Sequence, residues 1–517
     1  MATMTLSTEE YNALVAERDT LGKLLKTVTV ERDLLKEKLA AYLRKLFDAK
    51  SEARGTDQKD LFLNEAEALA PTPAIPVAEE VEPEEIEVAG HTRKKRGRKP
   101  LDPNLPRDIV RHELPESERV CAHDGAALVE IGVEISEQLD IIPQQVRVIQ
   151  HQRVKYACPC CDQCIKVTPA PARIIPKGLL TESALAWVVT SKYMDALPLY
   201  RQAALLGRFG GDLSRTTLAA SIVRVGDAVQ PIINLLQDHL LDADLIHADE
   251  TTIQVLKEPG KKAQTKSYLW AQATGSGPPI RLFGYAPGRG STHAETLYAG
   301  IKPGVALMSD GYDVYSRLAE IHGLTHLGCW AHCRRYFVEA EAVIPKAARS
   351  PEQLATQFIA AIGELYAIES RARHLNDEDR RKLREEHSRP VIGKIEQMLL
   401  RYLHAVVPGS LLGKALHYLS AQWPKLTRYV ENGTWPIDNN LCENAIRPFV
   451  VGRRNWLFAD TVAGANASAN LYSLVETCKA NGIDSYAYLV NLFQKLPAAQ
   501  TADDFEALLP WRLTPRC

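Results

Sequence analysis

No run of uncharged apolar residues in this 517-residue chain is long enough to span a membrane, and no early apolar segment has the form of a signal peptide. These absences exclude a membrane-embedded role and leave a cytoplasmic protein as the expectation. A dominant charge is missing as well. Lys and Arg number 62 against 64 Asp and Glu, a formal net charge of −2, so the chain as a whole does not advertise a nucleic-acid partner. Charge is instead concentrated locally. The composition is otherwise that of an ordinary globular protein, 45% hydrophobic and 24% charged, with length enough for several domains and a sizeable core. Several of the ten cysteines are clustered, which in a cytosolic chain favours reduced thiols and metal ligation over disulfides.

Three acidic residues carry the chemistry. Asp249 ends the apolar run Leu245-Ile246-His247-Ala248, and Asp310 ends Val305-Ala306-Leu307-Met308-Ser309. Both runs read as buried strands, and a carboxylate at the end of a buried strand is costly unless it binds something. The third, Glu443, lies in a stretch from Asp438 to Pro448 that reads as a helix start. Asp438 is its expected N-cap, and Leu441, Ala445 and Ile446 form an apolar stripe. Arg447 follows Glu443 by one turn, with Arg453 and Arg454 beyond. Taken alone, this stretch is equally an N-cap with a Glu443–Arg447 pair on a solvated face. With two strand-end acids beside it, Glu443 completes a site for two divalent cations. Hard oxygen ligands suit Mg²⁺, and such a pair would clamp the attacking and leaving oxygens of a phosphodiester.

The words His247-Ala248-Asp249-Glu250-Thr251, Ser309-Asp310-Gly311-Tyr312 and Cys329-Trp330-Ala331-His332, with the stretch 438–456, resemble the large TnpC-type transposase of insertion-sequence family sixty-six. The resemblance runs over nearly the full length. It implies a D-D-E transposase with Asp249, Asp310 and Glu443 as catalytic residues holding two Mg²⁺ (or Mn²⁺) ions. It also implies metal-dependent cleavage and strand transfer, with the terminal inverted repeats of an insertion sequence and target DNA as partners. Small accessory proteins of the same element, and a bacterial cytoplasmic location with nucleoid association during action, belong to the same expectation. His332, Arg334, Arg335, Arg447, Arg453 and Arg454 become candidates for DNA contact. Two other classes stay open: a catalytically inactive DNA-binding regulator derived from a transposase, and a ribonuclease-H-like nuclease that cuts without joining. A tyrosine recombinase would need an Arg/His/Arg/Tyr constellation, and the carboxylate triad argues against one.

The expected fold is multidomain α/β. A ribonuclease-H-like mixed-sheet catalytic core with an all-α insertion follows an N-terminal coiled coil, a small zinc-binding domain and a helical DNA-binding region. Residues 1–50 carry a heptad seam at Leu14, Leu21, Val28, Leu35 and Tyr42, which reads as a coiled coil and hence a homo-oligomer. Residues 51–100 read as an acidic, disordered linker running into a basic arm of Arg93, Lys94, Lys95, Arg96, Arg98 and Lys99. That arm resembles an AT-hook, which would release phosphate counterions and lie in a minor groove. Residues 101–175 hold Cys121 and a second cluster at Cys158, Cys160, Cys161 and Cys164. A knuckle at Cys158 and Cys161 facing one near Cys121 resembles the family's small zinc-binding domain. Where the family has a second cysteine after Cys121, this chain has Asp124, with His123 beside it. The fourth Zn²⁺ ligand is therefore open among Asp124, His123, Cys160 and Cys164.

Residues 176–243 read as helical, with a Gly210-Gly211 turn and Ser214 capping a helix that begins at Arg215. This is the outline of a DNA-reading helix-turn-helix, an outline that any αα-hairpin shares. The core, 244–344, should hold strands at 245–249, 267–274, 280–285, 305–310 and 324–329, with helices near 292–298 and 331–343. The gap from Asp310 to Glu443 is too long for a bare core, so 345–430 reads as the all-α insertion. Residues 431–463 then bear the Glu helix, and 464–517 form helices that pack on the core. The word from His326 to Arg335 has zinc-like spacing, yet a strand-borne Cys329 and a helix-opening His332 should not converge on one metal. Glu250 should point away from Asp249, since neighbours on a strand face opposite sides. Asp313 reads as a turn residue, and Tyr312 and Tyr315 as packing residues.

Overall fold

The computed structural model describes residues 145–157, 165–345 and 349–513, the strands 85–88 and 91–94, and the helical positions Val15, Glu17, Arg18, Thr20 and Leu21. The rest of the heptad seam, the zinc-ligand candidates Cys121, His123, Asp124, Cys158, Cys160, Cys161 and Cys164, and the basic residues Lys95, Arg96, Arg98 and Lys99 lie outside the described residues. Among the described residues no helix is long and apolar enough to cross a membrane.

The chain divides into two compact units. Within residues 67–148, β1 (Glu85–Val88) and β2 (His91–Lys94) pair antiparallel, with Glu85 opposite Lys94 and Val88 opposite His91. The expected linker therefore includes a strand. Glu85-Ile86-Glu87-Val88 alternates polar with apolar residues as a strand does, and the short Ala89-Gly90 connection suits a hairpin.

In the second unit, β3 (Lys155–Ala157) and β4 (Ile165–Val167) pair antiparallel. Four helices follow: α1 (Glu182–Tyr193), α2 (Leu199–Arg208), α3 (Arg215–Ala228) and α4 (Gln230–Leu241). Ser214 caps α3, its Oγ accepting the Thr217 N–H at 3.1 Å, and Arg215 is exposed at the helix start.

The sheet is built from β5 (Leu245–Lys257), β6 (Lys266–Thr274), β7 (Arg281–Ala286), β8 (Ala306–Ser309) and β9 (Thr325–Gly328). Its order is β7-β6-β5-β8-β9. The first three strands are antiparallel, whereas β8 and β9 run parallel to β5. Strand β5 runs well past residue 249 because its second half, rich in Thr, Ile and Val, stays in unbroken register with β6, from Ile246 opposite Thr274 to Gln254 opposite Lys266. Helix α5 (Ser291–Leu297) precedes β8, and α6 (Asp313–His322) makes the crossover that a parallel β8–β9 pair requires. Asp313 is thus the first residue of α6 and not a turn residue. Its carboxylate suits the positive end of a helix.

After α7 (Trp330–Glu341) come α8 (Leu354–Ala372), α9 (Asp377–Leu383), α10 (Arg389–Tyr402) and α11 (Leu411–Leu426). These helices bury their own core around Trp330, Phe337, Phe358, Leu365 and Leu416. Phe337 stacks on Phe358 with centroids 4.5 Å apart, and Trp330 Nε1 donates to the Leu426 carbonyl at 2.8 Å. The buried Arg384 is fully partnered, by both Glu369 oxygens and by the carbonyls of Tyr429 and Asn432.

Helix α12 (Asn440–Trp456) returns to the sheet, β10 (Ala459–Thr461) adds in parallel to the far end of β5, and α13 (Val462–Ala480) and α14 (Ser485–Lys495) complete the packing. Leu471, Leu474, Val475 and Cys478 of α13 are buried, as are Tyr488, Leu489 and Phe493 of α14. Helices α3 and α13 approach so closely at Gly226 that an added Cβ would sit 2.5 Å from Ala467 Cα. There Asn470 Nδ2 also donates to the Gly226 carbonyl at 2.9 Å. In a free helix Gly→Ala gains about 1 kcal/mol. Here Gly226→Ala should lower the thermal midpoint, with an overpacking loss of about 1–3 kcal/mol outweighing that gain. Calorimetric melting of the variant beside wild type checks the sign.

Candidate active site

The parallel register of β5 and β8 sets the first two acids. Leu245 pairs with Ala306, Ile246 with Leu307 and His247 with Met308. Asp249 stands two residues further along β5, on the face that His247 shares, and Asp310 follows the last residue of β8. Asp249 Oδ1 accepts the Glu250 N–H at 2.8 Å, and Asp310 Oδ1 accepts the Tyr312 N–H at 3.0 Å. The turn after Asp310 lies hard against α11. A Cβ on Gly311 would come within 2.7 Å of the Tyr418 ring and 3.1 Å of the Gln422 amide.

Glu443 arrives from α12 and sits in the first turn of that helix. Its pairing to the sheet runs through Asn439, which is fully buried. Asn439, not Asp438, is the N-cap residue, and its side chain makes no capping bond. Instead Asn439 Nδ2 donates to the Ala248 carbonyl at 2.9 Å, while its Oδ1 lies 2.9 Å from His247 Nδ1. Because the amide nitrogen is committed to a carbonyl, Oδ1 is the acceptor, so His247 Nδ1 carries the proton. The Asn439 backbone N–H donates to Cys329 Sγ at 3.2 Å. Asp438 does serve the helix start, taking the Asn440 N–H at 3.1 Å and the Tyr366 hydroxyl at 2.9 Å.

The other acids act on Asp249 electrostatically. Burial first, then the carboxylates of Glu250, Asp310 and Glu443, push the Asp249 carboxyl well above its ordinary range. Glu250, raised chiefly by burial, points the other way as expected. It is held by Arg289, whose Nε donates at 2.6 Å, and by the Tyr315 hydroxyl at 2.5 Å. Glu443 meets Arg335 Nη2 at 3.3 Å and His332 Nδ1 at 3.4 Å. The last two atoms, His332 Nδ1 and Glu443 Oε1, are both buried without a hydrogen-bond partner.

Among the described residues, Cys329, His332 and Glu443 place their ligand-type atoms within 4.8 Å of one another. Convergence of Cys329 with His332 overturns the expectation from sequence. Cys329 is the N-cap of α7 and His332 its third residue, and side chains at those two positions face each other across the first turn.

Two expected DNA contacts are committed elsewhere. Arg334 is buried, on the same stripe of α7 as Trp330 and Phe337, and its charge acts on Tyr366 beside Asp438. Arg453 falls on the α12 stripe of Cys442, Ile446 and Phe449. Its Nη1 donates to Thr252 Oγ1 at 3.0 Å, Thr251 Oγ1 at 3.3 Å and the Thr252 carbonyl, so it clamps α12 to β5. Arg335 and Arg454 are exposed, and Arg447 is half-buried. Asn439 and His247 were legible only as words of a motif. A histidine inside an apolar strand run and an Asn-Asn pair at a helix start are the signals that could have paired them.

Comparison with known proteins gives a consistent result along the chain. The model described as "Transposase IS66 family" matches residues 177–467, and "IS66 C-terminal element" matches 473–511. A zinc-finger binding domain of transposase IS66 matches 118–162, and "Transposase C of IS166 homeodomain" matches 34–110. The chain is similar to the uncharacterized protein y4jD of Sinorhizobium fredii, 33% identical over 492 residues, covering 91% of this chain and 93% of that one. It is also similar to y4qI of the same organism, 32% identical over 461 residues, covering 84% and 83%.

Asn439→Ala would strand the Ala248 carbonyl and the His247 N–H in the interior. It should cost about 2–4 kcal/mol in urea unfolding, the combined penalty of two buried groups left unsatisfied. His247 adds a pH signature. Burial above all holds its pKa down to about 4, so below its ordinary value near 6.5 the unfolded chain binds a proton that the folded chain refuses. Stability should therefore fall as pH drops through that window, by up to about 1.4 kcal/mol per pH unit from this group. A His247→Gln variant should show a shallower fall in paired urea melts.

Proposed function

Because the chain belongs to the transposase IS66 family, we propose that it is a DNA transposase that cuts and joins DNA strands by metal-dependent phosphoryl transfer, with Asp249, Asp310 and Glu443 as its acidic ligands. The observation that supports this reading is the parallel β5–β8 pairing, with Asp249 within β5 and Asp310 just past the end of β8, together with the action of Glu443 on Asp249. In this reading the sheet is a ribonuclease-H-like core, and the helices within 345–430 are an all-α insertion between the second Asp and the Glu.

Two Mg²⁺ or Mn²⁺ ions fit the donor set. The acids are hard oxygen ligands whose mutual repulsion a cation relieves, and Glu443 Oε1 has no hydrogen bond to give up. When bound, such ions activate the attacking oxygen and neutralise charge on the phosphate. The protein's own contribution is position. Asp249 and Asp310 are fixed by strand register, Glu443 is fixed through Asn439, and Arg335 and His332 flank the acid where a phosphate would lie. Glu250, already bound to Arg289 and Tyr315, stays outside the ligand set. Hydrolysis at an element end leaves a 3′-hydroxyl, which attacks target DNA in a second in-line displacement at the same site, so no covalent protein intermediate is required.

The remaining assignments follow the same reading. Arg93, Lys94, Lys95, Arg96, Arg98, Lys99, Arg215, Arg447 and Arg454 contact DNA. Cys121, Cys158 and Cys161, with Asp124 or His123, hold Zn²⁺ in the region that matches the zinc-finger model. The heptad seam makes the protein a homo-oligomer, and small proteins of the same element assist it in the bacterial cytoplasm, at the nucleoid.

The test incubates purified protein with labelled element-end DNA, a target plasmid and Mg²⁺ or Mn²⁺, with Asp310→Asn alongside. Wild type should nick and join, while the variant loses both products and keeps DNA binding near the wild-type level. Normal cleavage by Asp310→Asn would sink the assignment. Cleavage without joined strands would instead indicate a nuclease, and binding without cleavage a DNA-binding regulator.

A further inference from the structure

The approach of Cys329 to Glu443 has no part in the chemistry above, in which His332 serves only to flank a phosphate. Three different donor types, a thiol, an imidazole and a carboxylate, meet where α7 and α12 begin, with their ligand atoms within 4.8 Å of one another. His332 Nδ1 and Glu443 Oε1 stand 3.4 Å apart and neither has a hydrogen-bond partner. Nitrogen and oxygen donors at about 2.0–2.1 Å from one tetrahedral zinc ion are separated by roughly 3.4 Å. The pair is thus already at ligand spacing. Cys329 Sγ, the third donor, accepts the Asn439 N–H at 3.2 Å; burial and the charges of Asp438 and Glu443 hold its thiol well up, so it ionises only as a cation binds.

We infer that Cys329, His332 and Glu443 form a cation site for a borderline-soft divalent ion, Zn²⁺ foremost, that shares Glu443 with the acidic site and competes with it for that carboxylate. The competition rests on the role given to Glu443 above, whereas zinc binding does not. Thiolate and imidazole select against Mg²⁺, and the two aspartates are poorer partners for zinc than for Mg²⁺, so each ion has its own half-site. As the zinc–sulfur bond forms, the Cys329 S–H proton leaves to solvent, and no other bond changes. Three protein ligands leave one position for water, which makes the site weaker and more reversible than a four-ligand structural centre. Zinc seated there holds Glu443 away from the Asp249–Asp310 pair, a brake on cleavage that excess Mg²⁺ releases.

The experiment titrates metal-stripped full-length protein with Co²⁺ and Zn²⁺, beside Cys329→Ser, His332→Ala and Asp310→Asn. Wild type should bind one equivalent more than Cys329→Ser or His332→Ala, beyond whatever the N-terminal cysteines take, and lose a cobalt–thiolate absorption band on going to Cys329→Ser. Excess Mg²⁺ should raise the apparent zinc Kd of that equivalent several-fold in wild type and much less in Asp310→Asn. Cys329 is fully buried, so should its variant fail to fold, the less deeply buried His332 decides the count. Equal stoichiometry in wild type and His332→Ala would overturn the site, whatever the fate of the transposase reading. An Mg²⁺-insensitive zinc affinity in wild type would overturn the sharing of Glu443. Normal DNA cleavage by Asp310→Asn would remove the catalytic reading and leave the zinc count standing.

Discussion

Like charges repel, and the architecture around β5 is organised by the need to hold several carboxylates together regardless. A pair of unit charges about 5 Å apart repel by about 3 kcal/mol at an effective dielectric constant of 20. Glu250, Asp310 and Glu443 all act on Asp249, and Asp310 acts on Glu250 as well. The fold divides them by strand alternation. Glu250 is turned to one side and neutralised by Arg289 with a hydroxyl from Tyr315. Asp249 is left buried, with Glu250, Asp310 and Glu443 acting on it, and burial first and these charges second raise its carboxyl. Such a group persists because rigid backbone holds it.

The rigid parts come from distant stretches of chain. Hydrogen-bonded register fixes β5, which carries Asp249, against β8, which leads into Asp310. A buried amide then fixes the Glu-bearing helix to both, since Asn439 bonds the strand residue before Asp249 and, through its own N–H, the cap of α7. Every polar atom of this link is paired, which is what allows it to sit in the interior. Arg453 repeats the device further along α12 against the threonines of β5. A residue type associated with DNA here holds two elements of one fold together.

Much of this was legible in the sequence because strands announce themselves by short apolar runs. Five of the six sheet strands fall where those runs lie, whereas β10 does not, and Asp249 lies within β5 with Asp310 just past the end of β8. Glu250 pointing away from Asp249 followed from alternation alone. What remained hidden is what depends on helical phase and on partners far away in sequence. Arg334 and Arg335 look equivalent as letters, but one turn of α7 puts the first with Trp330 and Phe337 and the second in solvent. Cys329 and His332 were separated by an assumed boundary between strand and helix, whereas cap geometry joins them. The helix start was displaced by one residue, because Asp438 and Asn439 are both good caps and a buried histidine claimed the second. The hairpin at 85–94 was masked by the acidic, Pro-rich composition around it.

The tight seat of Gly311 against Tyr418 and Gln422 limits what can follow Asp310 in the chain. A side chain there would meet an aromatic ring and an amide of α11, and the turn would have to shift to clear them. The carboxylate before it would move with the turn, so the helical segment beside the sheet makes the glycine a condition of where Asp310 stands.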